Sequence, residues 1–139
     1  MSPRKLRTRN VTSTEAESYL NKAKEFYLSM IDEHQAGRWN AAGLAAVHCA
    51  ISASDAVLGK IANVRSAGHD HSDVLALLRE KVKGIGHSER TGEQVARLSR
   101  ILGQKNLIEY ESREFRRPEC ESLVKDVGRY FEWAKQFFL

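Results

Sequence analysis

The stretch NAAGLAAVHCAISASDAVLGKIAN, which spans residues 40–63 of this 139-residue chain, decides the fold. Alanine, valine, leucine and isoleucine occupy so many of its positions that a helix built from it has hardly any polar side. A helix that is apolar nearly all round is buried inside a protein. The stretch is also interrupted by His, Ser, Asp and Gly, which is not typical of a membrane span. It therefore predicts a central buried helix against which the other helices pack.

The segment before this stretch predicts a long first helix. Thr12 and Thr14 are each followed three residues later by a glutamate, which is the capping-box pattern of a helix start. Apolar residues then recur at helical spacing until the pattern ends near Gln35. We expect Asn40 to cap the central helix that follows.

Three further helices are expected after the central one. A polar loop leads to Ser72, a candidate N-cap for the third helix, and Thr91 is a candidate cap for the fourth. Gly103 weakens the middle of the fourth helix and indicates either close packing or an early end. Pro118 is suited to the first turn of a last helix. Because no β signal competes, the predicted fold is an all-α, antiparallel up-and-down bundle of about five helices.

Charge is unevenly distributed along the chain. Four of the 22 basic residues lie within the first ten positions, which contain no acid, and the remaining 18 balance the 18 acidic residues. We interpret residues 1–11 as a disordered basic arm and residues 12–139 as a single helical bundle domain. The arm carries four side chains able to contact nucleic-acid phosphates: Arg4, Lys5, Arg7 and Arg9.

A second basic cluster precedes the predicted last helix, where arginines are interleaved with aromatic residues. Such a pattern can stack bases and hold phosphates. Glutamates are interleaved as well, and internal salt bridges are therefore the alternative. The candidate nucleic-acid-binding residues of this cluster are Arg113, Arg116 and Arg117.

One face of the predicted central helix carries polar residues. His48, Ser52 and Asp55 share one face because they are spaced i, i+4 and i+7. They have the residue types of a hydrolytic triad, but nothing in the sequence indicates an oxyanion hole or an open cleft. We therefore interpret them as an interior polar seam, satisfied by hydrogen bonds inside the bundle or at a dimer contact. A buried carboxylate needs a cationic or donor partner, and the candidates are Arg97, Arg100 and Arg113.

The two cysteines, Cys49 and Cys120, are far apart in the sequence. We interpret both as free thiols in a reducing compartment. With no signal-peptide pattern and no transmembrane run, we expect a cytoplasmic protein without a membrane partner.

Two histidines flank an aspartate in the loop after the central helix. Imidazole and carboxylate suit zinc and related metals, but His69, Asp70 and His71 make at best a partial ligand shell. The alternative is helix-entry chemistry, in which Asp70 and Ser72 act as caps. We therefore predict no metal and no cofactor.

Five segments carry a pattern that is recognisable as a whole. They are AESYLNKAKEF in the first helix, the alanine-rich AAVHCAISASDAVLGK, the turn GHDHSDVLALL, a Leu-x-x-Ile-Leu helix and the IEYESREF junction. Together they resemble the HEPN family (higher eukaryote and prokaryote nucleotide-binding domains) over roughly residues 16–130. The resemblance implies an antiparallel helical bundle, commonly a homodimer, in a family rich in toxin–antitoxin and RNA-processing members.

The nuclease members of that family carry an arginine with a histidine roughly four to six residues later, near the start of a late helix. Residues 105–117 contain arginines but no histidine, so this chain departs from the family pattern there. Arg65 and His71 have a similar spacing, but they lie in the loop after the central helix. These two residues are the candidate catalytic pair.

Two main hypotheses about function follow. In the first, the chain is a non-catalytic HEPN-like module that acts through protein or RNA contacts as a homodimer, with an antitoxin or a nucleotidyltransferase as a further partner. In the second, it is a metal-independent ribonuclease that uses Arg65 and His71 across a dimer interface. A third interpretation is a small-molecule binder that uses the interior polar seam. If Arg65 and His71 face one cleft with other polar groups, the enzyme is favoured; if they lie in an exposed turn, it is disfavoured.

Overall fold

The structure, a computed structural model, describes residues 6–68, 70–85, 90–112 and 114–139. In chain order its elements are β1 (Thr8–Asn10), α1 (Ser13–Gln35), α2 (Trp39–Ala62), β2 (Val64–Ser66), α3 (His71–Val82), α4 (Thr91–Gly103), α5 (Lys105–Glu109), α6 (Arg117–Lys135) and a 3-10 turn (Gln136–Phe138). Apart from the short α5, each of these helices has 12 residues or more. The predicted all-α bundle is therefore confirmed.

α1 begins and ends where the sequence pattern predicts. The backbone N–H of Glu15 donates to Thr12 Oγ1 over 3.1 Å, and the Thr12 N–H donates to Glu15 Oε1 over 3.0 Å, which completes the capping box. The helix runs to Gln35, and Gly37 follows with a φ of 75°. Glycine adopts this left-handed conformation without a steric penalty, so the chain reverses there and α2 packs back against α1.

The predicted Asn40 cap of α2 is wrong. The helix begins at Trp39, and Arg38 occupies the N-cap position without a side-chain cap hydrogen bond. The Arg38 side chain instead binds the end of α1, since its Nε donates to Glu33 Oε2 over 2.6 Å. This ion pair links the start of α2 to the last turns of α1, and α2 begins two residues earlier than a cap at Asn40 requires.

Asn63 ends α2 and joins it to the segment that follows β1. Its φ is 54°, a left-handed value that asparagine tolerates better than most residues. Its Nδ2 donates to the Val11 carbonyl over 3.2 Å, and the Val11 N–H donates to the Asn63 carbonyl over 2.8 Å. The two backbone segments are thereby tied together at the end of the central helix.

α2 is the centre of the bundle, as its composition predicts. It packs most extensively against α1 and α6, and it also contacts α3, α4, α5 and β2. Ala46, Ala50 and Val57 have no exposed surface. By length and composition α2 could cross a membrane, but 72% of its most apolar window is buried inside the bundle. A core helix surrounded by other helices has this property.

Gly59 lies at a close approach of α2 to α1. A Cβ atom added there would lie 2.7 Å from Val11 Cγ1 and 2.9 Å from Ala16 Cβ. We expect Gly59→Ala to lower the free energy of unfolding by about 1–2 kcal/mol, because overpacking outweighs the gain in helix propensity. The matched control is Gly128→Ala in α6, whose added Cβ meets no atom of the described residues within 4 Å beyond its own helix backbone.

The free energy of unfolding of the Gly128→Ala control should rise by about 0.5–1 kcal/mol, because alanine favours the helix and its Cβ atom meets no neighbour among the described residues. Urea unfolding of both variants measures the difference. A Gly59→Ala variant that is as stable as Gly128→Ala would contradict the close approach.

A small antiparallel ribbon lies where the sequence predicts no regular structure. β1 pairs with β2, and the opposed residues are Thr8 with Ser66, Arg9 with Arg65, and Asn10 with Val64. Val11, which follows β1, is only 3% exposed. The structure thus places residues 8–10 in a strand rather than in the predicted disordered arm, and residues 64–66 in a strand rather than in a polar loop. Strands of three residues are too short to show alternation, and their partners are far apart in the sequence.

The remaining helices follow the predicted order with small shifts at their ends. Asp70 rather than Ser72 caps α3, since its Oδ1 accepts from the Ser72 N–H over 2.9 Å. Arg90 rather than Thr91 is the N-cap of α4, and α4 ends at Gly103, as this glycine indicates. α5 follows as a separate short helix, and α6 has a proline in its first turn, as predicted.

Candidate functional site

A cleft of about 250 Å³ opens where α2, the β2 segment, the start of α3 and the α4–α5 junction meet. Part of its wall is apolar and consists of Ile51, Val74, Leu98 and Leu102. Its charged or titratable lining residues are Asp55, Arg65, Asp70, His71 and Lys105. An apolar cavity with a few convergent polar groups is the usual form of a ligand site.

Arg65 reaches the cleft from β2 and is held by α1. Its Nη1 donates to the Tyr19 hydroxyl over 2.8 Å, and its guanidinium lies 5.6 Å from the centroid of the Tyr19 ring. The hydrogen bond to Tyr19 raises the pKa of the Arg65 guanidinium. The Arg65 Nε is buried and has no acceptor among the described residues. Arg65 is therefore fixed in position and carries its positive charge at the cleft.

Asp55 lies in the same cleft on α2, and the pKa of its carboxyl group is strongly perturbed. Burial raises its pKa from 3.8 to about 6, while the positive charges of Arg65 and Lys22 oppose the rise. A carboxyl group in this range exchanges its proton close to neutral pH, which is a property that acid–base catalysts share.

The predicted ion-pair partners of Asp55 lie elsewhere. Arg97 and Arg100 of α4 both form ion pairs with Asp126 of α6. Arg97 Nε lies 3.4 Å from Asp126 Oδ1, and Arg100 Nη2 lies 3.3 Å from the same oxygen. The third candidate, Arg113, lies outside the described residues. Since α4 packs against α6, its two arginines pair with the carboxylate on that helix, and the prediction for Asp55 is wrong for both of them.

We expect Asp55→Asn to stabilise the protein at pH 8 but not at pH 4. Because burial raises the pKa of Asp55, the folded state binds more protons than the unfolded chain between about pH 4 and 6, and the free energy of unfolding falls as the pH rises through that window. Asparagine removes the buried charge. A rise from 3.8 to about 6 corresponds to roughly 3 kcal/mol for a fully buried group, and solvent in the cleft reduces this to about 1 kcal/mol.

Urea unfolding of the wild type and of the Asp55→Asn variant at both pH values measures this gain. A variant that is less stable than the wild type at pH 8 would show that the charged carboxylate has a strong partner instead.

The two candidate catalytic residues line the same cleft. Arg65 enters from β2, whereas His71 is the first residue of α3 and lies exposed at the rim. His71 also borders a neighbouring groove with Ser99 and Asn106. The arrangement thus meets the condition that favours an enzyme, because both residues face one cleft together with other polar groups.

The three residues of the predicted polar seam do not line one site. Asp55 lines the cleft, whereas His48 lines a separate groove beside α5. The His48 ring lies 5.4 Å from the ring of Phe26. Ser52 is 8% exposed. Their common helix face spans two different surfaces because β2 and α3 cover only the end of α2 that carries Asp55.

The interior polar contact of α2 involves Ser54 instead. Its Oγ donates to the Ala50 carbonyl over 2.8 Å and lies 2.6 Å from the Tyr130 hydroxyl. Since Ser54 has one proton to donate, Tyr130 is the donor in the second bond. Sequence reasoning missed this pair, because Tyr130 belongs to the apolar face of the last helix and its partner lies far away in the sequence.

The structure describes two of the four basic residues in the N-terminal segment. Arg7 and Arg9 are exposed, and the backbone of this segment pairs with β2. Arg4 and Lys5 lie outside the described residues. The N-terminal basic charge that the structure does describe therefore lies beside Arg65 rather than on a free arm.

In the second basic cluster the structure describes Arg116 and Arg117, and Arg113 lies outside the described residues. Arg116 Nε lies 2.7 Å from Glu114 Oε2, and Arg117 Nε lies 2.8 Å from Glu121 Oε1. Neither arginine lines the cleft. The described part of this cluster thus shows the internal salt bridges that the interleaved glutamates offered as the alternative.

Lys105 is a cleft residue that sequence reasoning did not identify. It begins α5, and its Nζ lies 3.4 Å from Glu109 Oε2 one turn later. In the sequence it looks like any surface lysine in an i,i+4 pair. Only the break after α4 turns it toward the cleft, so no local signal could have assigned it.

Other chemistries find less support in the described parts of the chain. No group of three or more His, Cys, Asp or Glu side chains there is placed to hold a metal ion, and His69 lies outside them. Cys49 and Cys120 are buried and free. Burial raises the pKa of Cys49 to about 12 and that of Cys120 to about 11, so both stay as thiols at neutral pH and are poor nucleophiles.

No protein-family model matches this chain, and no curated protein sequence is similar to it.

Proposed function

We propose that this protein is a HEPN-like helical module that binds single-stranded RNA through a phosphate group held in the cleft. The observation that carries the proposal is the convergence of Arg65, His71 and Lys105 on one small cavity. Side chains of these types hydrogen-bond phosphate oxygens and neutralise their charge. The Arg65 guanidinium, which lines the cleft and is held by Tyr19, supplies positive charge for such an oxygen.

The size and lining of the cavity support a single strand rather than a duplex. Its volume of about 250 Å³ lies just below the range of about 300–1,000 Å³ that is usual for ligand pockets. It therefore admits roughly one nucleotide unit. The apolar wall around Ile51 and Val74 offers a surface for a sugar or a base, and single-stranded RNA presents unstacked bases that can use it.

A second candidate function is cleavage of the bound RNA, which the presence of Asp55 and His71 in one cleft favours. One of these side chains takes the proton of the 2′-hydroxyl, whose oxygen attacks the adjacent phosphorus, and the other protonates the departing 5′-oxygen. Arg65 and Lys105 stabilise the extra negative charge in the transition state. The products are a 2′,3′-cyclic phosphate and a 5′-hydroxyl, and the reaction needs no metal ion.

The HEPN resemblance extends the proposal to protein partners. We propose a cytoplasmic homodimer that pairs with an antitoxin or a nucleotidyltransferase in a toxin–antitoxin or defence context. The support for this part is the sequence resemblance alone. Light scattering after size-exclusion chromatography tests the dimer, and a monomer at micromolar concentration would refute it.

RNA binding by the full chain tests the main proposal. We expect an internally labelled single-stranded RNA to bind at low salt and to dissociate as salt rises, because phosphate contacts displace counterions. Lys105→Gln should weaken binding about tenfold, the effect of losing one charged hydrogen bond. Arg129→Gln is the control, because Arg129 is exposed on α6 and does not line the cleft. The absence of binding at low salt would refute the proposal.

Cleavage is tested with the same RNA over several hours. If the wild type produces 2′,3′-cyclic phosphate ends and His71→Ala does not, the second candidate is supported. RNA that stays intact when bound to the wild type would leave binding as the function.

A further inference from the structure

Two arginines face each other across the ribbon beside the cleft. Arg9 of β1 is directly opposite Arg65 of β2. The Ala67 N–H donates to the Arg7 carbonyl, and the Val11 N–H donates to the Asn63 carbonyl, so every second pair along the ribbon is hydrogen-bonded. Arg9 and Arg65 belong to this series. Their Cα atoms are therefore about 5.5 Å apart, and their side chains leave the ribbon on the same face.

Like charges directly opposite each other destabilise an antiparallel pair. The Asp55 carboxylate attracts Arg65 electrostatically, but no carboxylate of the described residues forms an ion pair with either arginine. Within the described ranges, no carboxylate oxygen lies within 4.0 Å of either guanidinium, whereas five other arginines do form such ion pairs: Arg38, Arg97, Arg100, Arg116 and Arg117. Lys22 adds to the positive charge, since its Nζ lies 5.7 Å from the centroid of the Tyr19 ring that also carries Arg65. The ribbon thus concentrates positive charge at the edge of the cleft.

We propose that Arg9 and Arg65 form a subsite for a terminal phosphate monoester of the bound RNA. A monoester carries a charge of about −1.5 to −2 at pH 7 and three acceptor oxygens, enough for two guanidinium groups. A phosphodiester inside the chain carries one negative charge and two free oxygens, which match one guanidinium. Two opposed arginines therefore distinguish the phosphorylated end of an RNA chain from the phosphodiesters inside it.

The position of Arg65 connects this subsite to the cleft. Arg65 belongs to the ribbon and also lines the cleft, so a phosphate held between the two arginines places its own nucleotide at the cleft entrance. The Tyr19 hydroxyl and ring hold Arg65 in place, while the buried Nε still lacks an acceptor among the described residues. The inference rests on the proposed RNA binding for the identity of the ligand, but not for the phosphate chemistry.

Three RNAs of one sequence test the subsite: one with a 5′-phosphate, one with a 3′-phosphate and one with hydroxyl groups at both ends. Each carries the same internal label, and binding is followed by fluorescence anisotropy with the full chain. We expect one phosphorylated RNA to bind about tenfold more tightly than the unphosphorylated RNA. Arg9→Gln should reduce this ratio to less than about twofold, and Arg129→Gln, which changes an exposed arginine on α6, should leave it unchanged.

The outcomes separate this inference from the proposed function. If all three RNAs bind equally, or if the ratio persists in Arg9→Gln, the subsite is overturned and RNA binding stands. If none of the RNAs binds, the proposed RNA binding is refuted. A titration with inorganic phosphate, followed by NMR of the arginine side-chain N–H groups, then tests whether the two arginines bind phosphate at all. Shifts of two arginine signals, one lost in Arg9→Gln and the other in Arg65→Gln, would support the subsite, and the absence of shifts would overturn it.

Discussion

Tyr130→Ala is expected to lower the free energy of unfolding by about 4 kcal/mol, the usual cost of truncating a large buried aromatic residue. Tyr130 has no exposed surface, and its ring lies 5.6 Å from that of Trp133. Its hydroxyl bonds to Ser54 over 2.6 Å, which joins α6 to the central helix. Burial raises the pKa of Tyr130, so the phenol remains protonated and neutral.

Tyr130→Phe separates the packing contribution from the hydrogen bond. This variant should lose only about 1 kcal/mol, because the ring is kept and Ser54 still donates to the Ala50 carbonyl. Tyr110→Ala is the matched control for the truncation, since Tyr110 is 75% exposed, and it should change stability by less than about 0.5 kcal/mol. Urea denaturation followed by circular dichroism measures all three. A loss of less than about 1 kcal/mol for Tyr130→Ala would mean that α6 does not pack on α2 as described.

Arg65→Gln is expected to weaken RNA binding at least about twentyfold at low salt. Hydrogen bonds to charged groups contribute about 1.5–3 kcal/mol, which corresponds to roughly 10–150-fold in affinity. Arg65 lines the cleft and offers its positive charge there. The slope of log binding constant against log salt concentration should also become shallower by about one, because one phosphate contact fewer releases one counterion fewer.

The control for Arg65→Gln is Arg79→Gln, which removes the same charge from an exposed position on α3 that does not line the cleft. The folded fraction of both variants is checked by thermal denaturation, since Arg65 also donates to Tyr19. If Arg65→Gln is folded and binds RNA within threefold of the wild type, the cleft is not the phosphate site. Loss of Arg65 should also raise the pKa of Asp55 further, because its positive charge now opposes the effect of burial.

Most of the helical architecture follows from local sequence patterns. The alanine-rich stretch predicts the buried central helix, and the capping box at Thr12 predicts the start of α1. The glycine at position 103 marks the end of α4, and Pro118 marks the first turn of α6. These features are local, because a helix satisfies its backbone hydrogen bonds within a few residues and its buried face repeats every 3.6 residues.

Some of the candidate site could also be singled out from the sequence. Arg65 and His71 are recognisable by residue type and spacing, and Asp55 is recognisable as a carboxyl group in an apolar helix. The sequence around each of these residues does not show which side chains from other helices lie beside it. For that reason Arg97 and Arg100 were expected beside Asp55, although the structure pairs both with Asp126.

Which side chains lie close together depends on how distant segments pack. It pairs β1 with β2 and so places Arg9 opposite Arg65, and it turns Lys105 into the cleft with Asp55 and His71. It also joins Ser54 to Tyr130, two residues on different helices. Such contacts depend on the packing of segments that are distant in the chain, and packing is decided by shape and burial over the whole bundle. The helices follow from local periodicity, whereas the charged cleft exists only because their ends meet.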